Sequence, residues 1–299
     1  MKSTLPEDVP TYFADAEACF DESDFVIFGV SSDETSSFRS GARFGPDDIR
    51  KASWNFEPYN RTTDVNIKDC AIHDYGDILI ENNEPTKHIF DKVKQFSQQV
   101  IHANKVPLLL GGEHTFSAAC VQAFEKDIYA IVFDAHLDFR DSYNNQRYNH
   151  ACTIRRINDH LPGDHIFILG NRSGSKTEYE EAKKAGVTVF SSEEIHQKGI
   201  KKIIDEINHR INHKSIYLSI DIDVLDPCYA PGSGTLEPFG LNPFDLVHTI
   251  DLFSSKLTGF DIMEVAPSYD TGQTAILAAK LLRYTIEKIY IQDKQNLLK

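Results

Sequence analysis

The sequence predicts a single-domain α/β protein built on a parallel sheet of eight strands. Short apolar runs alternate with longer segments of helical period, which is the pattern of repeated βαβ units. The runs IYAIVF and SIYLSI are apolar on both faces, as strands covered on both sides should be. The chain has 299 residues and contains no internal repeat or Pro/Gly/Ser linker, so we expect one domain over residues 1–299.

Periodicity locates the elements but does not decide how the sheet closes, because eight such strands fit either an open sheet or a closed barrel. Strands are predicted at residues 25–30, 106–110, 128–133, 166–169, 187–190, 216–220 and 257–262, with a weaker one near residues 70–73. Helices are predicted at residues 47–53, 86–104, 116–126, 178–185, 201–213, 243–254 and 274–289.

Composition argues against several classes of protein. The net charge of −14 disfavours nucleic acid and anionic membranes as partners and mildly favours cationic ligands. The five cysteines are odd in number and form no Cys-x-x-Cys pair, which argues against a disulfide framework or a structural zinc site. Neither a signal peptide nor a run of about 18 apolar residues is visible, so we expect a cytoplasmic protein without a membrane partner.

Three polar clusters each follow a predicted strand directly, at the end where open α/β sheets bind ligands. They are GGEH at residues 111–114, DAHLD at 134–138 and DID at 221–223. The glycines of the first cluster permit a tight turn and a close backbone approach. In extended backbone, alternate residues of the other two clusters share one face. The candidate metal ligands are therefore His114, Asp134, His136, Asp138, Asp221 and Asp223.

Each cluster alone has an ordinary interpretation: a packing histidine, a solvated strand end or an Asp-rich turn. Together they offer two imidazoles and four carboxylates, more than one small cation usually takes from a protein. Two divalent ions would use all six residues, and the four negative charges would balance two dications. Oxygen-rich ligation with two histidines suits Mn²⁺, with Fe²⁺ or Co²⁺ as substitutes. In the loop after the third cluster, Asp226 is assigned a turn role and Cys228 is predicted to be buried.

At these residues the chain resembles the ureohydrolase family of arginases and agmatinases, and it is closest to agmatinase-like members. The motifs GGEHT, DAHLD and SIDIDVLDP carry the resemblance, together with FGVSSDETSSFRSGARFGPDDIRKAS, APGSGTLEPFGL and GFDIMEVAPSYD. It extends over about residues 24–285, which leaves residues 1–23 as an N-terminal extension. It implies an open, mostly parallel eight-stranded sheet in a three-layer α/β/α domain, rather than a barrel.

The resemblance also implies roles for individual residues. Asp134 and Asp221 would bridge two Mn²⁺ ions, with His114 and Asp138 completing one ion. His136 and Asp223 would complete the other ion, and a shared hydroxide would be the nucleophile. Glu264, in MEVAP, would hold the substrate guanidinium, and His150, in YNHAC, would act as acid or proton shuttle. The implied reaction is hydrolysis of agmatine to putrescine and urea in polyamine biosynthesis, by a homo-oligomer, either a trimer or a hexamer.

Substrate choice depends on residues 139–149, a predicted loop between the second cluster and His150. Arginases carry a pattern ending His-Gly here, whereas this chain has His150-Ala151-Cys152, which weakens an arginase interpretation. Asp141 is a candidate partner for the ammonium group of agmatine. Asn149 is a further candidate substrate-binding residue. With Asn144 and Asn145 it could bind a carboxylate, so arginase stays an alternative. Guanidinobutyrate and aminopropylagmatine fit the same chemistry.

Two more distant alternatives are compatible with the sequence. The first is a one-zinc deacetylase of the same broad fold, which would not need His114 or the second carboxylate of DAHLD. The second is a non-catalytic family member serving as a subunit or binding module. The complete set of candidate ligands disfavours both.

Overall fold

The computed structural model describes residues 10–211 and 214–297. The first nine residues of the expected N-terminal extension, and the last two of the helix predicted at 201–213, lie outside these ranges. Residues 10–23 pack against the domain: Phe13 is fully buried, and Asp15 accepts a hydrogen bond of 3.0 Å from Arg283. No helix in the described part of the chain is long and apolar enough to cross a membrane.

The strands and helices alternate as the sequence predicts. The strands are β1 Phe25–Val30, β2 Tyr59–Asn60, β3 Val65–Asn66, β4 Ile72–Asp77, β5 Val106–Gly111, β6 Tyr129–Phe133, β7 Ile166–Asn171, β8 Thr188–Ser191, β9 Ile216–Asp221 and β10 Leu257–Met263. The α-helices are α1 Gly45–Ser53, α2 Thr86–His102, α3 Thr115–Val121, α4 Thr153–Asn158, α5 Lys176–Ala185, α6 Ser192–Lys198, α7 Ile200–Ile211, α8 Pro243–Phe253 and α9 Gln273–Leu297.

Eight strands form one open sheet in the order β4-β1-β5-β10-β9-β6-β7-β8, and β2 pairs with β3 in a small antiparallel ribbon. Every neighbouring pair in the large sheet is parallel. The predicted open sheet is therefore confirmed and the barrel is excluded. The four central strands β5, β10, β9 and β6 come from separate parts of the chain, and their carboxyl ends lie side by side.

The hydrophobic core has two layers, one on each face of the sheet. Alternate residues of β9 show this: Ile216, Leu218 and Ile220 pack into one layer, whereas Tyr217 packs into the other. The first layer includes α7, α8 and α9, and the second includes α2, α3 and α4. These helices hold the central strands from both sides, so the loops at the strand ends start from fixed positions.

Three helical details differ from the predictions. The helix predicted at 116–126 ends at Val121, and the chain continues through irregular turns into β6. Helices α4 and α6 are absent from the predictions because each has fewer than eight residues, too few for a clear helical period. The start of α6 does carry a signal, since Ser191 and Glu194 form a capping box.

Candidate metal centre and cavity

All six candidate ligands lie where central strands end. His114 follows β5 after a Gly-Gly turn, the DAHLD residues follow β6, and the DID residues end and follow β9. Gly112 is required at this turn, because a Cβ there would lie 1.9 Å from the backbone oxygen of Ser32. The close backbone approach predicted for the glycines is therefore confirmed. Glu264 follows β10, so four neighbouring strands point their ends at one region.

His114 lies at the centre of the acidic side chains. Its Nδ1 is 3.0 Å from Asp134 Oδ2, 3.4 Å from Asp221 Oδ2 and 3.8 Å from Asp138 Oδ2. His114 and Asp134 are fully buried. Nevertheless, His114 Nδ1 and Asp134 Oδ2 have no hydrogen-bond partner in suitable geometry among the described residues. Leaving two such atoms unpaired is costly, and a cation between them would satisfy both.

His136 forms a second group around the same aspartate. Its Nδ1 lies 3.0 Å from Asp223 Oδ2 and 3.6 Å from Asp134 Oδ1. Two sets of donor atoms are compact enough to hold an ion: His114 with Asp134 and Asp221, and Asp134 with His136 and Asp223. Asp134 belongs to both sets. Asp138 belongs to neither set, and its Oδ2 lies 3.8 Å from His114 Nδ1.

The backbone departs from the extended conformation on which the predicted convergence depends. Asp138 has a φ of +47°, in the left-handed region, so it does not continue the alternation of DAHLD. Asp223 lies in a 3₁₀ turn, Ile222–Val224, and its N–H donates a 2.9 Å hydrogen bond to Asp221 Oδ1. The predicted convergence is observed, but turns bring the side chains together rather than one strand face.

A buried hydrogen-bond chain orients the His114 ring. His114 Nε2 is 2.9 Å from Ser219 Oγ, and Ser219 donates a 2.7 Å hydrogen bond to Asp261 Oδ1. The Tyr217 hydroxyl donates to the other oxygen of Asp261 at 2.7 Å. Since the Ser219 proton goes to Asp261, His114 Nε2 donates its proton to Ser219 Oγ, and Nδ1 faces the aspartates, where a bound cation would take the place of a second ring proton. Such outer hydrogen bonds typically fix the tautomer of a metal-binding histidine.

The electrostatics of the cluster favour cations. Burial, and repulsion from Asp223 and Asp134, raise the pKa of Asp221 well above its ordinary value. Burial would lower the pKa of His114, but Asp134 and Asp138 outweigh it and raise the pKa to about 9. Similar forces raise the pKa of His136 to about 12. Carboxylates crowded in this way repel one another unless positive charge joins them, and divalent ions supply the most charge in the least space.

Glu264 connects two of the converging strand ends. It is half-buried, and its φ of +62° places it in the left-handed region, which is unusual for glutamate. Its Oε1 accepts a 2.7 Å hydrogen bond from the His114 backbone N–H. Burial, and repulsion from Glu113 and Asp223, raise its pKa to about 8. Its side chain lines the cavity above the aspartates, where a cationic ligand would meet it.

His150 also lines that cavity, at the first position of a 3₁₀ turn, His150–Cys152. Its Nδ1 is 3.1 Å from Thr35 Oγ1, and its Nε2 is 3.2 Å from Ser37 Oγ. Burial, with the positive charges of His136 and His114, lowers the pKa of His150 to about 4. The ring is therefore a neutral imidazole at pH 7, and its protonated fraction is smaller than that of an ordinary histidine with a pKa of about 6.5.

The cavity has a volume of about 390 Å³, within the range that small-molecule sites occupy. Besides the acidic floor, it contains the side chains of Arg39, Arg140, Tyr143 and Glu178. Arg140 Nε lies 3.2 Å from Glu178 Oε2, so these two charges offset each other. Arg39 forms no salt bridge within the described ranges; it donates to backbone carbonyls and lies over the Tyr269 ring, 4.3 Å from its centre. Arg39 lies in the segment FGVSSDETSSFRSGARFGPDDIRKAS, and Arg140 and Tyr143 lie in the predicted loop 139–149, but none of the four was predicted as an individual site residue.

Two predicted substrate-binding residues do not line the cavity. Asp141 is exposed and pairs with Arg156 at 2.7 Å and Arg147 at 3.2 Å, so its charge is already compensated. Asn149 is buried, and its Oδ1 accepts a 3.0 Å hydrogen bond from the Ala151 N–H, which caps the turn that carries His150. The geometry does not support direct substrate contact by either residue. Asn149 instead fixes the backbone at His150.

Arg172 is a residue that sequence reasoning missed. Its guanidinium donates to six backbone carbonyls and to no carboxylate, with the shortest contacts to Asp223 and Glu237, both at 2.7 Å. The planar group thereby joins the loop after β9 to residues 237–238. Its position shortly after the strand predicted at 166–169 was an available signal, because strand ends carry functional residues in this fold.

The loop after the third cluster partly matches its predictions. Asp226 accepts hydrogen bonds from the Cys228 and Gly240 N–H groups, both at 3.1 Å, which confirms its turn role. Cys228 is exposed, so the prediction that it is buried was wrong. The turn places this side chain on the outside of the loop.

Comparison with known proteins agrees with this geometry. A sequence model of the arginase family matches residues 23–287. An agmatinase from Bacillus anthracis is 34% identical over 278 residues, covering 91% of this chain and 93% of the relative. An N(1)-aminopropylagmatine ureohydrolase from Thermococcus kodakarensis is 39% identical over 266 residues, covering 88% of this chain and 89% of the relative.

A solved structure of a relative has the same fold as this chain. The agmatine ureohydrolase of Thermoplasma volcanium superposes with a TM-score of 0.91 at 38% sequence identity, covering 96% of each chain. The expected enzyme class, a hydrolase acting on C–N bonds of linear amidines, and the expected three-layer fold are confirmed by these relatives. From residue 23 to residue 287, this chain belongs to the arginase family.

Proposed function

We propose that this protein hydrolyses a guanidinium group to urea and an amine, with agmatine as its substrate and putrescine as the amine product. The observation that carries the proposal is the meeting of six potential metal ligands and Glu264 at the ends of four neighbouring strands, beside one cavity. Relatives named agmatinase and aminopropylagmatine ureohydrolase support this reaction class.

The two compact donor sets are proposed to hold two Mn²⁺ ions, with Asp134 common to both. The unpaired atoms of His114 and Asp134, and the oxygen-rich composition of both sets, support this assignment. When bound, two such ions lower the pKa of water and supply hydroxide at neutral pH. Asp138 is assigned as a further ligand, because its Oδ2 lies 3.8 Å from His114 Nδ1.

Glu264 is proposed to bind the guanidinium group. One of its oxygens is tied to the His114 backbone, so the carboxylate has a fixed position over the aspartates. A carboxylate can hold the planar guanidinium through charge-assisted hydrogen bonds, which orients the guanidinium carbon towards the acidic floor. The substrate's positive charge favours the ionised form of Glu264 and offsets its high pKa.

His150 is proposed to move a proton between the attacking water and the leaving amine. Because its pKa is lowered to about 4, the ring is neutral at pH 7 and can accept a proton before donating one. A neutral starting state favours the shuttle role over that of a simple acid. Its Nε2 lies 3.2 Å from the hydroxyl of Ser37, which also lines the cavity.

A guanidino acid such as guanidinobutyrate is the second candidate substrate, and Arg39 is the observation that favours it. This cation lines the cavity without a carboxylate partner in the described ranges, so it suits a substrate with an anionic end. The net charge of −14 favours the cationic agmatine instead.

The test is urea release by Mn²⁺-loaded protein from agmatine, arginine, guanidinobutyrate and aminopropylagmatine. The proposal expects the highest kcat/KM for agmatine. The variant Arg39→Gln provides a matched comparison. It should leave agmatine turnover intact or raise it, whereas it would depress turnover of a guanidino acid. A higher kcat/KM for another guanidino compound would overturn the substrate assignment and keep the reaction class.

A further inference from the structure

Thr35, in the loop after β1, lies behind the wall of the cavity. Thr35 is 5% exposed and is not among the residues that line the cavity. Its hydroxyl lies between His150, which faces the cavity, and Glu113, which is fully buried behind it. Residues far apart in sequence therefore form one hydrogen-bonded series leading away from the substrate.

Hydrogen bonds join each member of this series to the next. Glu113 Oε2 accepts from the Thr35 backbone N–H at 2.8 Å and from the Thr35 hydroxyl at 2.9 Å. Glu113 Oε1 accepts from the Thr115 hydroxyl at 2.9 Å. Thr35 Oγ1 in turn accepts from the His150 backbone N–H at 3.1 Å, and His150 Nδ1 lies 3.1 Å away.

Counting protons fixes the direction of the last contact. A threonine hydroxyl has one proton and two lone pairs. The proton of Thr35 goes to Glu113, and one lone pair receives the His150 backbone N–H. The remaining lone pair can only accept, so His150 must carry its ring proton on Nδ1. Nε2 is then left with a lone pair, which faces the Ser37 hydroxyl 3.2 Å away on the cavity wall.

We propose that Thr35, anchored by Glu113, is a positioning residue that holds His150 in the Nδ1–H tautomer and aims its Nε2 lone pair into the cavity. The inference rests on the proposed proton transfer by His150 and specifies which nitrogen performs it. A neutral imidazole can take up a proton only at the nitrogen that lacks one, so the wrong tautomer would turn a donor towards the attacking water. Thr35 does not line the cavity, and its side-chain hydrogen bonds go to Glu113 and His150, so we expect its effect on the reaction to pass through His150.

The test is a double-substitution cycle with Thr35→Val and His150→Asn. Valine keeps the shape of threonine and removes only the hydroxyl, and Thr35→Ser restores it. We expect Thr35→Val to lower kcat by about 10- to 100-fold at nearly unchanged KM, because general acid–base groups contribute about 10²–10⁴-fold. Thr35→Ser should keep at least about a third of the kcat. In the His150→Asn background, Thr35→Val should change kcat by less than about twofold.

Metal content and thermal melting are measured for each variant, so that loss of folding or of metal is separated from loss of positioning. A normal kcat for Thr35→Val would overturn the inference, as would an equal loss in the His150→Asn background or a loss of bound metal. If His150→Asn alone kept the full kcat, the proton-transfer role in the proposed function would fail first, and the positioning role would fail with it.

Discussion

The His114 backbone N–H donates a 2.7 Å hydrogen bond to Glu264 Oε1, and the Glu264 N–H donates in return to the Gly112 oxygen at 2.9 Å. These residues follow β5 and β10, which are neighbours in the sheet although far apart in sequence. The pair of bonds sets the distance between a proposed metal ligand and the proposed substrate carboxylate. The pairing of β5 with β10 therefore fixes the positions of both His114 and Glu264.

Replacing Glu264 separates substrate binding from metal binding. Glutamine keeps an oxygen for the His114 N–H but loses the charge that would hold the guanidinium. We expect Glu264→Gln to retain two metal ions per chain and to lose urea release by about 100-fold or more. Glu264→Ala should have the same effect, although alanine also removes the bond to His114. Metal analysis beside a urea assay checks this, and a normal rate for Glu264→Gln would refute the guanidinium assignment.

Replacing His136 should remove metal and activity together. Its Nδ1 lies 3.0 Å from Asp223, within one of the two compact donor sets. His136→Asn should lower both the bound metal and kcat, because one donor set loses its imidazole. Asp141→Asn is the matched control, since Asp141 pairs with two arginines away from the cavity. It should leave metal content and KM unchanged, and a raised KM would restore Asp141 as a substrate-binding residue.

Arg172 should matter for stability through its backbone contacts. Arg172→Lys replaces the planar fork with a single ammonium group, which cannot reach carbonyls in two loops at once. Because several hydrogen bonds from a charged donor are lost, we expect the free energy of unfolding to fall by about 2–4 kcal/mol. Urea denaturation measures it. Arg147→Lys, at an exposed position, should change stability by less than about 0.5 kcal/mol. Equal losses in both variants would contradict the bridging role.

The pKa of His150 predicts how stability depends on pH. The folded pKa of about 4 lies below the ordinary value of 6.5, so the unfolded chain binds this proton first as the pH falls. The free energy of unfolding therefore decreases from pH 6.5 towards pH 4. Between pH 7 and pH 5, His150→Gln should lose about 1–2 kcal/mol less stability than the wild type. His88→Gln, at an exposed site, is the control, and identical pH profiles for wild type and His150→Gln would contradict the assignment.

Much of the fold follows from the sequence, because buried parallel strands leave continuous apolar runs. The segment SIYLSI forms most of β9, and the polar residues after it lie at the carboxyl end of that strand, as predicted. Closure of the sheet did not follow from periodicity, since an open sheet and a barrel bury the same pattern. Short helices such as α4 were missed because their positions depend on contacts with α3 rather than on their own period.

The candidate site was predictable where chemistry is concentrated in motifs and less so elsewhere. The two carboxylates and the imidazole of DAHLD are costly to bury together without a cation, so His136 could be singled out. Thr35 acts through the hydrogen bonds of its hydroxyl, and Arg172 acts through hydrogen bonds to backbone carbonyls. Neither kind of contact requires a distinctive spacing in the sequence. Asp141 looked suitable because it lies in the loop before His150, yet only the three-dimensional structure reveals that Arg156 compensates its charge.

The most direct test of the central claim is urea release from agmatine during titration of metal-free protein with Mn²⁺. The account predicts that activity rises with added metal and saturates at two ions per chain. Saturation at one ion, or an absence of urea from every guanidino compound when two ions are bound, would contradict it.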